Sequence, residues 1–309
     1  MTKVLAWLQA SRLASQTYIF FPLLLGQGFY RQTGGELNAG VFCWVGAYSL
    51  LIQLFIVYAN DYADAEVDRL NTTYNIFSGG SRVLVCGLLS KKELLIGVAV
   101  TMVLNAGVGC VLTFFYERSW ILPLIFVSWA LLWIYSYAPF KLSYRGGGEV
   151  VQALGVGFLL LFFGYYAQAG NASHFPWHYL VFVLPLQLGA AFSTALPDEP
   201  SDREGRKHTL VVLVGPVPVK LLVVFLYFTG LGFFCFIGWP GPGSLKTYLL
   251  VAYPLLAAAV MALLIRDGPA GHWRCTAFVA LAVSSVVATM ATLAGDLLLC
   301  RSGGQRLFG

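Results

Sequence analysis

Nine apolar stretches follow one another along the chain, separated by polar segments. Each is close to the roughly 20 residues that a helix needs to cross the hydrocarbon core of a bilayer. Most intervening segments are short and turn-like, as in RQTGGE and GWPGPG. The pattern therefore predicts nine transmembrane helices, near residues 5–29, 38–60, 92–115, 119–138, 149–169, 176–196, 217–239, 246–265 and 273–299.

The composition supports the same class of protein. Of the 309 residues, 58% are hydrophobic and 11% are charged, whereas soluble domains carry roughly 25% charged residues. The first apolar stretch contains Arg12 and Gln16 and has no small-residue cleavage pattern after it, so we expect it to be retained rather than removed as a signal peptide. The sequence predicts an all-α, polytopic protein of the lipid bilayer, with a single transmembrane domain over residues 1–309.

The positive charges are distributed unevenly between the two faces. Fourteen of the 19 Lys and Arg residues lie at the N-terminus or after the even-numbered spans, and five lie on the other face. Since loops rich in Lys and Arg stay in the cytoplasm, we expect the N-terminus and the long polar segments 61–91 and 197–216 to be cytoplasmic, in a protein of the inner cell membrane. The net charge of +5 then records topology, and we expect no nucleic-acid partner and no obligate protein partner.

Acidic residues are concentrated in the same two segments. Eight of the 14 Asp and Glu residues lie in NDYADAEVD, residues 60–68, and DEPSDRE, residues 198–204. If the second helix continues to Asp68, positions 60, 64 and 68 follow one another about 40 degrees apart around its axis. Together with Asp61, these positions would share an arc of about 100 degrees, so one helix face would present an amide and three carboxylates. A second helix beginning near Asp198 would present Asp202 one turn later, with Pro200 in its first turn.

This arrangement of carboxylates favours a metal site. Carboxylates so close together repel one another unless they bind cations or are fully solvated, and an Asp at the centre of a membrane helix costs about 2.5 to 3.5 kcal/mol. Oxygen ligands without Cys or His nearby suit Mg²⁺, which takes one or two carboxylates and completes its shell with water and substrate phosphate. The expected substrate is a diphosphate. The candidate metal ligands are Asn60, Asp61, Asp64, Asp68, Asp198 and Asp202.

Six basic residues close to the acidic segments could bind the diphosphate. Arg offers a planar fork for phosphate oxygens, and Lys offers a point charge. Any one of these cations could simply record topology, but as a set beside two acidic clusters they favour a phosphate site. They are Arg69, Arg82, Lys141, Arg145, Arg206 and Lys207.

The two acidic motifs resemble those of a known family. NDYADAEVD fits the NDxxDxxxD first motif of the UbiA superfamily of intramembrane prenyltransferases, and DEPSD fits its DxxxD second motif. Two further stretches, SGGSRVLVCGLLSKKEL and YSYAPFKLSYRGGGEVVQALGVG, resemble the branch that contains the 1,4-dihydroxy-2-naphthoate polyprenyltransferases of menaquinone biosynthesis. After the second motif, DREGRKHTLVVLVG resembles the corresponding segment of the family.

The resemblance implies a fold and a set of residue roles. The fold is a bundle of nine helices around a central cavity with a lateral opening to lipid. Two magnesium ions are implied, one held by Asn60, Asp64 and Asp68 with Asp61 in support, and the other by Asp198 and Asp202. Asp64, Asp68, Asp198 and Asp202 would be the catalytic residues, and Lys141, Arg145 and Lys207 would bind phosphate oxygens.

The implied reaction starts from a polyprenyl diphosphate. Its ionisation produces an allylic cation, which alkylates a small aromatic or quinone-precursor acceptor such as 1,4-dihydroxy-2-naphthoate. A dry aromatic cavity shields such a cation from water and can stabilise it through cation–π contacts. The candidate cavity residues are Tyr135, Tyr137, Phe162 and Tyr166.

Alternatives remain open from the sequence alone. The branch usually has an Arg just before the second motif, where this chain has Pro197, so the acceptor stays open. The isoprenoid length also stays open, because it depends on how far the hydrophobic tunnel extends. A membrane terpene cyclase would ionise the same diphosphate and need no acceptor. An ion-coupled transporter is less favoured, because its ionisable residues would lie near mid-span in broken helices rather than at helix ends.

Overall fold

The computed structural model describes residues 2–237, 245–266 and 268–299, and within these ranges the chain is helical and contains no strand. We number its helices α1 (Lys3–Ala10), α2 (Gln16–Gln32), α3 (Ala39–Leu70), α4 (Lys91–Cys110), α5 (Ile121–Ser136), α6 (Leu142–Arg145), α7 (Gly148–Leu154), α8 (Leu160–Ala169), α9 (Leu180–Thr194), α10 (Glu199–Glu204), α11 (Leu210–Val214), α12 (Pro216–Ile237), α13 (Leu245–Leu263) and α14 (Trp273–Leu299). A π-helical turn over Val111–Phe115 extends α4, and another over Gly155–Leu159 joins α7 to α8. The predicted all-α class is confirmed.

Six helical stretches in the described ranges are long and apolar enough to cross a membrane. They are Ala39–Leu70, Lys91–Phe115, Gly148–Ala169, Trp177–Glu204, Pro216–Ile237 and Trp273–Leu299. The chain is therefore an integral, multi-pass membrane protein. For the spans predicted at 5–29, 119–138 and 246–265, the described residues form only shorter helical stretches, namely α2 with 17 residues, Ile121–Ser136 and Ala252–Leu263, so the predicted count of nine is not confirmed.

The first predicted span is not one continuous helix. Arg12 has a φ of +42°, in the left-handed region, and a short 3₁₀ turn over Leu13–Ser15 separates α1 from α2. The break turns the Arg12 guanidinium towards α3, where it pairs with Asp61. The prediction of a single helix over 5–29 was therefore wrong. No proline or glycine marks the break in the sequence, and the partner of Arg12 lies outside the segment, on α3.

The first acidic motif lies at the C-terminal end of the long helix α3. It begins after Asn38, whose side chain accepts a hydrogen bond from the Val41 amide at 3.1 Å and so caps the helix. Its 32 residues span about 48 Å, more than the hydrocarbon thickness of about 30 Å. The predicted continuation through Asp68 is confirmed, and the polar segment expected at 61–91 begins as helix rather than as loop.

Close backbone contact brings α2 and α8 together in the middle of the bundle. A Cβ atom added to Gly26 would overlap the carbonyl of Leu161, and one added to Gly164 would overlap the carbonyl of Leu23. Small residues allow this approach, which is how membrane helices commonly pack without a hydrophobic driving force. Next to this contact the rings of Tyr48 and Phe163 stack at 4.1 Å.

Candidate active site

Both acidic motifs meet at one end of the bundle, where α3, α5 and α9 end and α7 begins. Ser136, the last residue of α5, donates to the Asn60 side-chain oxygen at 3.4 Å. The Asp61 and Asp64 side chains of α3 are buried. Burial of two neighbouring carboxylates requires partners for each of them, and these partners define the site.

Both carboxylate oxygens of Asp61 bind neighbouring protein groups. The Arg12 guanidinium forms an ion pair with one carboxylate oxygen, and the Ser81 hydroxyl donates to the other. The Ser81 amide lies 3.3 Å from that second oxygen. Asp61 therefore fastens both the α1–α2 break and the loop after α3 to the acidic helix, and its oxygens are already engaged.

Asp64 faces the centre of the site. The Tyr144 hydroxyl on α6 donates to its Oδ1 at 2.9 Å, and the Lys207 ammonium lies 3.1 Å from its Oδ2. Burial and the adjacent Asp64 carboxylate raise the pKa of Tyr144 well above its usual value, so the phenol stays protonated and keeps donating.

Asp68 lies one turn further along α3, beside the glycine-containing loop. Gly80 has a φ of +68°, and a Cβ atom on it would overlap the Asp68 carboxylate. Glycine is therefore required here both for the backbone conformation and for space. Arg82 donates to the backbone carbonyl of Asp68 and, at 3.3 Å, to that of Asn71. It caps the C-terminal end of α3, where a cation interacts favourably with the helix dipole.

The second motif adopts the predicted geometry. Asp198 precedes α10, and Pro200 occupies its first turn, where the missing proline amide costs no helical hydrogen bond. Asp198 Oδ1 accepts a hydrogen bond from the Asn71 side-chain amide at 2.5 Å. Asp202 lies one turn after Asp198, and its Oδ2 accepts a hydrogen bond from the Thr209 hydroxyl at 3.3 Å.

Lys207 connects the two motifs. Its ammonium lies 3.1 Å from Asp64 Oδ2 and 3.7 Å from Asp202 Oδ1, and its side chain is only 12% exposed. Burial by itself lowers the pKa of Lys207, but the Asp64 and Asp202 carboxylates outweigh it and raise the pKa well above its usual value. The gap between the motifs therefore holds a positive charge.

The six predicted phosphate-binding cations separate into three groups. Lys207 is in the site, and Lys141 lies beside it with its ammonium 3.5 Å from the Tyr144 ring centre. Arg82 and Arg69 are engaged elsewhere, since Arg82 binds the carbonyls at the end of α3 and Arg69 pairs with Glu66 at 3.2 Å. Arg145 and Arg206 are exposed.

The four candidate cavity residues lie at two different levels of the bundle. Tyr135 is close to the site, since a Cβ atom on Gly148 would lie 3.1 Å from its ring. The Tyr137 hydroxyl donates to the Ala59 carbonyl at 2.7 Å. Phe162 and Tyr166 stack at 6.2 Å near the opposite end, where the Trp120 amide, just before α5, lies 3.2 Å from the Tyr166 hydroxyl. The cavity role of all four stays a prediction.

Several site residues were not expected from the sequence. Tyr144, Asn71, Arg12 and Ser81 each bind an aspartate of one of the motifs. Tyr144 had a weak signal, because it lies between two predicted phosphate-binding cations. Arg12 had none, because its partner is 49 residues away in the chain.

The side-chain donors at the site suit a magnesium ion that has further ligands of its own. Within the described ranges, no three Asp, Glu, His or Cys side chains are close enough together to hold a metal ion by themselves. The available donors are oxygens only, and the Asp64 and Asp202 carboxylates face each other across one ammonium. Mg²⁺ typically takes one or two carboxylates and obtains its other ligands from water and phosphate, so the residues fit an ion that arrives with a diphosphate.

The chain is similar to a known family and to several named proteins. The family model for the UbiA prenyltransferase family matches residues 19–286. A relative from Korarchaeum cryptofilum, named digeranylgeranylglyceryl phosphate synthase, is 32% identical over 54% of this chain, and the match spans only 54% of that protein's length. A relative from Mycobacterium tuberculosis, named 1,4-dihydroxy-2-naphthoate octaprenyltransferase, is 23% identical over 72% of this chain and 74% of that protein.

A solved structure shares the fold. It is a UbiA homologue from Archaeoglobus fulgidus bound to GPP and Mg²⁺, with a TM-score of 0.65 over 93% of this chain and 99% of that chain. The sequence identity is 16%, so this likeness establishes the fold and leaves substrate questions to the chemistry of the site.

Proposed function

This chain belongs to the UbiA prenyltransferase family and is a prenyltransferase, and we propose that it transfers an isoprenoid chain from a polyprenyl diphosphate to an aromatic or quinone-precursor acceptor in a magnesium-dependent reaction. The observation that carries the proposal is the ammonium of Lys207 between Asp64 and Asp202. Two acidic motifs, far apart in sequence, converge on one buried cation, as expected of a site built for metal and diphosphate.

The proposed metal ligands are the side-chain oxygens of the two acidic motifs. Asn60, Asp64 and Asp68 on one helix and Asp198 and Asp202 on another would hold two magnesium ions. Asp61 supports the first set by holding the surrounding loop in place. Bound magnesium would supply positive charge that stabilises the leaving diphosphate.

The chain's own residues bind and orient the diphosphate. Lys207 and Lys141 border the acidic groups and would meet phosphate oxygens directly. Tyr144 lies between them and orients Asp64 through its hydroxyl. Arg145 and Arg206 are exposed and would attract the anionic head group by long-range electrostatics. Arg82 and Arg69 have structural partners instead and are not proposed as phosphate ligands.

The apolar part of the substrate extends into the bundle. Tyr135 and Tyr137 border the site and would exclude water near the reacting carbon. Aromatic faces also stabilise a developing cation. Phe162 and Tyr166 lie towards the other end, so in this proposal they line the region reached by a long isoprenoid chain.

The first acceptor to test is 1,4-dihydroxy-2-naphthoate. It is the acceptor in the name of a relative matched over 72% of this chain, whereas the name of the Korarchaeum relative indicates a glyceryl phosphate. Purified protein would be incubated with magnesium and geranylgeranyl or farnesyl diphosphate. Parallel reactions would contain 1,4-dihydroxy-2-naphthoate, a glyceryl phosphate or no acceptor, and the products would be identified by mass spectrometry. We expect a prenylated acceptor and no product in EDTA. Release of a cyclic hydrocarbon without acceptor would instead establish a cyclase.

We propose that the acidic end of the bundle faces the cytoplasm, in the inner cell membrane. The excess of Lys and Arg on this side supports that orientation. Cys86 is exposed in the loop after α3, and Asn171 is exposed at the other end, after α8. In spheroplasts, a membrane-impermeant maleimide should label a single cysteine introduced as Asn171→Cys and should miss a variant that retains only Cys86 until the membrane is permeabilised. The reverse labelling pattern would invert the topology.

A further inference from the structure

We infer that Asn71 is a positioning residue that couples the two acidic motifs, by holding Asp198 in a fixed position relative to the last turn of α3. The inference rests on the proposed magnesium site and identifies a neutral residue outside both motifs on which ion binding depends. It arises from the geometry around one buried side chain.

Asn71 is held at both ends of its amide. The side chain is 3% exposed. Its Nδ2 donates to Asp198 Oδ1 at 2.5 Å, and its Oδ1 accepts from the Thr73 backbone amide at 2.9 Å. A carboxylate can only accept and a backbone N–H can only donate, so these two partners determine which end of the amide points to Asp198. A side chain bound in this way has one orientation available.

The backbone of Asn71 is tied to the first motif. Its N–H donates to the carbonyl of Asp68 at 3.3 Å, and its own carbonyl accepts from Arg82, which also binds the Asp68 carbonyl. Asn71 directly follows the last residue of α3. The position of its amide is therefore set by the same helical turn that carries Asp68.

A second contact holds the same pair of segments together. The Thr73 hydroxyl donates to the backbone carbonyl of Pro197 at 2.9 Å, just before Asp198. The loop after α3 thus binds both the main chain and the side chain of the residue that opens the second motif. Arg82, the end of α3, Asn71 and Asp198 form a continuous series of hydrogen bonds from one motif to the other.

This connection differs in kind from the other link between the motifs. Lys207 joins Asp64 to Asp202 through charge, and a bound diphosphate would compete with the carboxylates for its ammonium. The Asn71 amide carries no charge and is enclosed, so the Asp198 contact can remain when the anion binds. Hydrogen-bonding partners behind metal ligands typically change metal affinity by about 10- to 100-fold when removed.

The test measures ion binding rather than turnover. In Asn71→Ala, Mg²⁺ binding in the presence of inorganic diphosphate, measured by isothermal titration calorimetry in detergent, should weaken by about tenfold or more. Asn71→Leu keeps the same number and branching of side-chain heavy atoms and removes both hydrogen bonds, so it provides the same measurement if the alanine variant does not fold. The magnesium concentration for half-maximal diphosphate release should rise by a similar factor.

Asn75 provides a matched control in the same loop. Its Nδ2 donates to Thr276 on α14 at 3.3 Å and its Oδ1 accepts from the Phe77 amide at 2.8 Å, so it anchors the loop without contacting either motif. Asn75→Ala should lower thermal stability and leave magnesium affinity within about twofold.

Two results would overturn the inference, and they are distinguishable. If both Asn71 variants bind magnesium as tightly as the wild type, and the wild-type enzyme prenylates its acceptor, the proposed function stands and Asn71 does not couple the motifs. Absence of magnesium binding and of magnesium-dependent diphosphate release in the wild type would remove the proposed function and the inference with it.

Discussion

Replacing Asp64 with asparagine should abolish diphosphate release, lowering the rate by at least about a thousandfold. Asp64 accepts from Tyr144 at 2.9 Å and pairs with Lys207 at 3.1 Å. The variant retains the volume and an oxygen for Tyr144, but it removes the negative charge that binds metal and orients the ammonium. The measurement is magnesium-dependent release of inorganic diphosphate from a prenyl diphosphate.

Glu66→Gln is the control for the Asp64 variant. Glu66 lies two residues away on the same helix, is exposed, and pairs with Arg69 and Lys91 on the outside of the bundle. Exposed pairs of this kind contribute at most about 1 kcal/mol, so its activity should remain close to that of the wild type. Activity of Asp64→Asn within tenfold of the wild type, with normal insertion and purification, would rule out Asp64 as a metal ligand.

Replacing Lys207 with methionine should have two effects of opposite sign. Without its ammonium, kcat/KM for the prenyl diphosphate should fall by about a hundredfold, since a charged contact to phosphate is lost in a shielded site. In the absence of diphosphate, the variant should respond more strongly to magnesium, because Asp64 and Asp202 lose their only shared cation among the described residues and need another.

Two measurements separate these effects. Steady-state kinetics give kcat/KM, and the thermal midpoint with and without magnesium reports the response of the diphosphate-free protein. Lys91→Met removes the same charge from an exposed pair with Glu66 and should change neither quantity appreciably. A Lys207→Met protein with an unaltered kinetic constant and a wild-type magnesium response would show that the ammonium only fills space.

Local spacing predicted those parts of the site that depend on one helix at a time. The positions of Asn60, Asp64 and Asp68 on one face required only that α3 continue, and it does so to Leu70. The position of Pro200 was predicted in the same way, because a proline in the first turn of a helix costs no helical hydrogen bond. Such inferences rest on backbone geometry, which is the same in every fold.

The sequence did not show which partner each cation near the acidic motifs would bind. Arg82 and Arg69 were grouped with the phosphate-binding cations because they follow the first motif, yet their side chains bind the end of α3 and Glu66. A cation near an acidic motif has several possible partners, and only the path of the loop selects one. The break at Arg12 had the same origin, because the ion pair that holds it crosses 49 residues.

By itself, the sequence determined that the chain is a helical membrane protein, and it predicted that two carboxylate-rich helix ends carry its chemistry and that their oxygens suit a hard cation and a diphosphate. These conclusions follow from hydropathy, helical period and ligand chemistry, all of which are local. The tertiary structure alone decided that Lys207 lies between Asp64 and Asp202 and that Asn71 reaches Asp198. Lys207 and Asp64 are 143 residues apart in the chain, and Asn71 and Asp198 are 127 apart, so how the helices pack sets both distances.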